Sequence, residues 1–280
     1  MSGRRKRRNR GHQDGRVARI MARVGRPVVG YLSELARESL RQPGSWRCLE
    51  IVYRNEPQTL LDRFWLSSRA ARGARNRLRT LTENLCEIVQ SRATAVGAVR
   101  LLSLGSGPGH EILGCIERVR GQARVEATCM DLDPEALRYG EGLAARRDLD
   151  GHVRYVCGNV LCADALPAGQ DIVVLSGLLD YFDSRIAVTI LGNVHRRLTP
   201  GGVVLVANMR RHHLAATMSI LGNWRLVYRE PGDVERLLTE GGYTRVEVEL
   251  EQERIFCIGR GQKPDLNAGL AGQRVSSASL

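Results

Sequence analysis

Lysine is nearly absent from this 280-residue chain: of its 42 basic residues only Lys6 and Lys263 are lysines. That bias reads as a property of the coding genome rather than of function. Aromatic residues are also scarce, at 5%, so each Trp or Tyr carries more weight. No apolar run reaches the roughly 18 residues that a membrane span needs. No apolar segment follows the N-terminal arginines, as a secretory leader requires. The seven cysteines (48, 86, 115, 129, 157, 162 and 257) are scattered and include no C-x-x-C pair. An odd, unpatterned set argues against a disulfide framework and points to reduced thiols in a cytoplasmic protein. His212 and His213 are adjacent rather than spaced as zinc ligands, and no Cys or Asp cluster accompanies them, so no metal is expected.

Hydrophobic residues make up 43% of the chain, enough for a packed core. The net charge of +12 is uneven. Residues 1–16 hold seven basic residues against Asp14, which places +6 in the tail. The remainder is ordinary for its length, so the tail reads as solvated and disordered, and a nucleic-acid partner is not expected. Apolar residues at helical spacing run from Val17 to Leu40, with Pro27 as a break. A short segment follows at Trp46 to Tyr53. A helix opened by Glu56-Pro57 has Leu60, Leu61, Phe64 and Trp65 as its apolar face. An Arg-rich helix covers about 68–92. Residues 17–95 therefore read as a helical cap. From 96 to 260 strands alternate with helices, with strand candidates at 99–104, 124–131, 153–157, 171–176, 202–208, 244–250 and 254–259. This alternation predicts an α/β fold with a mostly parallel sheet whose last two strands pair antiparallel. Residues 261–280, rich in Gly, Ser and Ala, read as a disordered tail.

The most informative stretch is Val99 to Glu111, VRLLSLGSGPGHE. An apolar strand runs into Gly105, Gly107 and Gly109, and a helix begins directly behind them. Residues without Cβ let the chain turn tightly and approach a ligand, and open α/β sheets bind nucleotides at such a place. The second strand ends in Asp131, where a carboxylate is placed to accept from both hydroxyls of a ribose. Asp133-Pro134 then reads as an N-cap and first helical residue. Asn159 ends the third strand with an amide suited to an adenine edge. Ser176 and Gly177 end the fourth, followed by Leu178, Leu179, Tyr181 and Phe182, expected to lie over the ligand. Asn208, Arg210, Arg211, His212 and His213 follow the fifth strand. Arg75, Arg77 and Asn84 read mainly as surface residues.

Taken in order, the Gly-rich loop, Asp131, Gly158-Asn159, the Asp171 strand and Leu198-Thr-Pro-Gly-Gly resemble class I S-adenosylmethionine-dependent methyltransferases over about residues 96–260. Three segments resemble more closely the bacterial enzymes that esterify 3-hydroxypalmitate: Ala74-Arg-Asn-Arg77, Gly177-Leu-Leu-Asp-Tyr-Phe182 and Asn223-Trp-Arg-Leu-Val-Tyr-Arg229. The resemblance implies a Rossmann-like, seven-stranded, mostly parallel sheet with an N-terminal helical cap. It also implies S-adenosylmethionine as cofactor, with Gly105, Gly107 and Gly109 at its amino-acid end, Asp131 on the ribose, Asn159 on the adenine and Ser176 in the same set. Two departures stand out. The group often has an acidic residue where this chain has Ser103, which Glu111 offsets as partner of the cofactor ammonium, and an Asp where it has Asn159.

The expected reaction is methyl transfer to a small-molecule acceptor, a carboxylic acid first, because a carboxylate is ionised at neutral pH and needs no base. Tyr181 and Phe182 are assigned to the sulfonium by cation–π attraction, Arg210 or Arg211 to an acidic acceptor, and His212 to base catalysis for an alcohol or amine. An alternative keeps the cofactor but makes the chain a cyclase or aminocarboxypropyl transferase that releases methylthioadenosine. The expected partner is a small-molecule substrate. Nothing in the sequence decides between a monomer and a homodimer.

Overall fold

A computed structural model describes residues 33–211 and 226–265. The expected basic tail (1–16), the helical stretch as far as residue 32, and residues 266–280 lie outside the described residues. The chain divides into two compact units, residues 1–72 with 213–225 and residues 73–212 with 226–280.

In the first unit three short helices are α1 (Glu34–Arg41), α2 (Trp46–Arg54) and α3 (Leu60–Leu66). Each starts on a hydroxyl N-cap, Ser33, Ser45 and Thr59 respectively, which satisfies a backbone N–H that the helix leaves open. Asp62 ties two of them together, accepting from Ser33 Oγ at 2.6 Å and from Thr59 Oγ1 at 3.1 Å. This anchor corrects the expected apolar face of α3. Asp62 and Leu66 are the buried residues, whereas Leu60 and Phe64 are 84% and 63% exposed.

Helix α4 (Arg69–Val96) lies in the second unit from Gly73 onward, with Leu81, Leu85, Ile88 and Val89 buried. The remaining elements are β1 (Ala98–Leu104), α5 (His110–Val119), β2 (Arg124–Asp131), α6 (Pro134–Arg146), β3 (Val153–Cys157), β4 (Gln170–Ser176), α7 (Ser184–Arg197), β5 (Leu198–Met209), α8 (Pro231–Glu240), β6 (Thr244–Leu250) and β7 (Phe256–Gln262). The strands form one sheet in the order β3-β2-β1-β4-β5-β7-β6. Five are parallel; β7 runs antiparallel to both β5 and β6. The fold is α/β and Rossmann-like, as expected. Parallel strands with both faces covered read as continuous apolar runs, and Ile172 to Leu175 of β4 are fully buried. On one face Ile190, Leu191 and Val194 of α7 and Val234, Leu237 and Leu238 of α8 complete the core.

The seventh strand starts two residues later than expected. Glu251 is 2% exposed and accepts from the backbone N–H groups of Glu253, Ile255 and Phe256. Those bonds hold residues 251–255 as a turn, so pairing begins at Phe256. The strand also continues past 260, because Gln262 pairs with Val203. Helix α4 bonds this hairpin through Asn76 to Glu251, Arg79 to Gln252 and Asn84 to Glu249. Among the described residues no helix is long and apolar enough to cross a membrane.

Candidate cofactor and acceptor site

The parallel strands end together at one edge of the sheet, and the loops there carry the residues singled out above. After β1, Gly105, Gly107 and Gly109 all have positive φ (61°, 51° and 77°), a region that L side chains enter at a cost. Space is closed as well: a Cβ on Gly105 falls 2.9 Å from Leu178 Cδ1, and one on Gly109 falls 2.7 Å from Cys129 Sγ. The loop is tied down from three sides. Ser106 N–H donates to Met130 O at 3.2 Å, and the Tyr155 hydroxyl donates to Pro108 O at 3.2 Å. The Asp131 carboxylate accepts from Gly107 N–H at 2.7 Å and from Asp133 N–H at 2.9 Å. Each oxygen of Asp131 keeps a further lone pair. Asp133 caps α6, accepting from Glu135 N–H at 2.9 Å, with Pro134 at the first helical position.

Glu111 stands in the first turn of α5, where a helix N-terminus favours negative charge. It is 5% exposed and accepts from Ser103 Oγ at 3.4 Å. The two positions that the sequence linked are thus side by side. Burial pushes the Glu111 carboxyl up, while its own backbone N–H, Arg77, His110 and Ser103 pull the other way. Asn159 accepts from Leu161 N–H through Oδ1 at 3.0 Å. Two leucines that the sequence reading left aside lie just past β2 and in the loop after β3: Leu132 and Leu161 are 63% and 49% exposed.

Past β4 the picture departs from expectation. Gly177 (φ 78°) opens the turn that Ser176 leads into. Leu178 reaches back over Gly105, but Leu179 is buried in the core rather than over a ligand, and Tyr181 is 51% exposed. Between them Asp180 is buried. Its Oδ1 accepts from Met209 N–H at 2.9 Å, and its backbone O accepts from Val227 N–H at 2.8 Å. Burial pushes its carboxyl up to about 7, against Met209 N–H, Arg77 and Arg229. Arg229, also buried, donates to Leu179 O, Asn208 Oδ1 and Phe182 O at 2.7, 2.8 and 2.7 Å. Asn208 Nδ2 donates to Val227 O at 3.1 Å. Asp180, Asn208 and Arg229 form a buried polar clamp joining the tip of β4 to Met209 and Val227.

Arg77 corrects a surface assignment. It is 5% exposed, its guanidinium lies 4.8 Å over the Phe256 ring, and its Nη1 sits 2.9 Å from where Gly177 would carry a Cβ. Arg210 pairs with Glu230 and donates to Arg254 O at 3.0 Å, which removes it as a substrate-binding cation. Arg211 remains exposed at this edge, 5.9 Å over Tyr228. His212 lies outside the described residues. Asn84 bonds β6, away from these loops. Among the described residues no three His, Cys, Asp or Glu side chains gather as a metal site.

The family model described as "Putative methyltransferase" matches residues 15–263. The chain belongs to this methyltransferase family. The tetracenomycin polyketide synthesis 8-O-methyl transferase TcmO of Streptomyces glaucescens is 29% identical to this chain over 136 residues. That match covers 45% of this chain and only 39% of the relative's length. Among solved structures, a protein of Bordetella parapertussis titled as a possible exported protein superposes with TM-score 0.70 at 20% identity, covering 84% of this chain and 85% of that one. The S-adenosylmethionine-dependent methyltransferase SibL superposes with TM-score 0.55 at 22% identity, over 81% and 68% of the two chains. These superpositions share the fold.

Proposed function

We propose that the methyltransferase moves a methyl group from S-adenosylmethionine to an oxygen of a small-molecule acceptor, with a carboxylic acid as the acceptor class. The observation that carries the cofactor placement is the joined set of Gly105, Gly107, Gly109, Asp131 and Glu111. Two positions there refuse a Cβ, and a buried carboxylate with a single hydroxyl donor stands behind them. That donor set suits a nucleoside with an ammonium: Glu111 for the ammonium, Asp131 for the ribose, and the exposed Leu132 and Leu161 with Asn159 for the adenine.

When bound, S-adenosylmethionine supplies an activated methyl group. What remains for the protein is alignment of the reacting atoms and exclusion of water. Leu178, packed on Gly105, is the apolar wall at that point. Arg211 supplies the positive charge at the acceptor edge and favours an acidic molecule there. An ionised carboxylate needs no base. The name of TcmO, an 8-O-methyl transferase, supports oxygen as the accepting atom. Tyr181, His212 and Arg211 remain the candidate catalytic side chains, with Ser176 beside the cofactor.

A second reading, in which the cofactor's own aminocarboxypropyl chain is cyclised or transferred, is favoured by one observation: Glu111 is a buried carboxyl beside the proposed amino end, with its proton affinity raised by burial. Incubation with S-adenosylmethionine and long-chain 3-hydroxy acids, followed by mass spectrometry of the nucleoside product, separates the two. S-adenosylhomocysteine with a methyl ester supports methyl transfer; methylthioadenosine overturns it.

A further inference from the structure

The net charge of the chain is confined to one of its two units. Residues 1–72 hold seventeen basic and six acidic side chains, and residues 213–225 add Arg225 alone. The first unit consists of those two stretches, so it carries all of the +12. The second unit has twenty-four basic and twenty-four acidic side chains and is neutral.

A second observation lies in the first unit as well. Helix α3 is amphipathic in reverse. Its buried residues are Asp62 and Leu66, while Leu60 and Phe64, four apart and so on one helix face, are open to water. Leu60 is the most exposed large apolar side chain among the described residues. Arg63 is exposed beside them, and the Phe64 ring meets the Trp65 ring edge-on with centroids 5.3 Å apart. Single exposed apolar residues are ordinary. An apolar pair on one turn, beside a cation and on a unit of strong positive charge, marks a docking surface.

Charge and apolarity select the partner together. A nucleic acid satisfies the charge but gives Leu60 nothing to enter, and Leu60 has no ring to stack on a base. An anionic bilayer answers both: its headgroups attract arginine, and the hydrocarbon just below them takes up Leu and Phe. We propose that the first unit docks on an anionic phospholipid bilayer, with Leu60 and Phe64 entering the boundary between headgroups and acyl chains and the basic excess of the unit meeting the headgroups. The chain then lies on the membrane rather than across it; among the described residues no helix is fit to span one. Two apolar side chains alone hold a bilayer only weakly, so stable docking needs the charge as a second signal. That attraction acts within a Debye length and weakens with salt.

The test is flotation of the full chain with vesicles of phosphatidylcholine alone or of equal parts phosphatidylcholine and phosphatidylglycerol. At low salt the mixed vesicles are expected to bind at least about tenfold more tightly than the neutral ones, and the preference to shrink as salt rises. Leu60→Ser combined with Phe64→Ser is expected to weaken binding to the mixed vesicles about tenfold. Both side chains already face water, so the double variant should keep the urea midpoint of the unmodified chain. Equal binding to the two vesicle types, or binding to neither, overturns the proposal. So does a folded double variant that binds as tightly as the unmodified chain. Binding of polyuridylate in place of the mixed vesicles assigns the charge to nucleic acid and overturns it too. If the double variant does not fold, Phe64→Trp decides: bromine-labelled acyl chains in the mixed vesicles are expected to quench its emission beyond that of the unmodified chain, and equal quenching overturns the proposal. Vesicle binding involves neither cofactor nor acceptor, so its failure leaves the proposed methyl transfer standing.

Discussion

Asp131 does two jobs at once. Its carboxylate ties Gly107 and Asp133 to the end of β2 and keeps lone pairs for a ligand. Asp131→Ala is therefore expected to weaken S-adenosylhomocysteine binding by about 1.5–3 kcal/mol, the scale of hydrogen bonds to a charged group. Unchanged affinity in calorimetry would remove Asp131 from the site. Gly140 shows how closely the same loop is supported from below. A Cβ there falls 2.4 Å from Tyr155 Cε1 and 2.7 Å from Pro108 O, whereas Gly151 has nothing within 4 Å. Gly140→Ala is expected to cost about 1–3 kcal/mol as an overpacked substitution, and Gly151→Ala close to nothing. Urea unfolding of the pair reads the difference, and equal midpoints would show that the loop support is slack.

The β6–β7 hairpin depends on one buried carboxylate. Glu251 accepts from three backbone N–H groups and from Asn76 Nδ2. Glu251→Gln turns one acceptor oxygen into a donor facing donors, and is expected to destabilise the protein by about 1–3 kcal/mol. Hydrogen exchange should place the loss in residues 251–256, and unchanged protection there would contradict the assignment. The same hairpin marks where the sequence stopped being legible. Strand alternation, the glycine turn and the Asp133-Pro134 cap are local signals, readable from residues a few positions apart. Glu251 also works locally, but a Glu in the run Leu250 to Glu253 looks like a solvated turn charge until its oxygens are seen facing inward. Arg77, Asp180 and Arg229 were harder still. Each is a charged residue whose burial is balanced by groups distant in the chain; Arg229 alone bonds a carbonyl 50 residues away. Apolar periodicity cannot report a polar core, so Arg77 read as surface.

For the whole molecule, the buried acids set a direction in pH. The Asp180 carboxyl is pushed up to about 7 from an ordinary 3.8, and Glu111 is raised as well. Between those values the folded chain holds the Asp180 proton and the unfolded chain has lost it. Stability from this group is thus full below about 3.8 and falls as pH rises from there toward about 7. Denaturation across that range should show the unmodified chain losing stability relative to Asp180→Asn as pH rises; a gain relative to that variant would reverse the sign. The order of the strands has its own consequence. The last strand among the described residues, β7, is seated between β5 and β6, so β6 has no neighbour in the sheet until residues 256–262 have been synthesised. During translation the growing polypeptide must therefore wait, with the flank of β5 uncovered, until its C-terminal portion has left the ribosome tunnel. A nascent chain arrested before Phe256 is expected to remain protease-sensitive, and one released after Gln262 to become resistant.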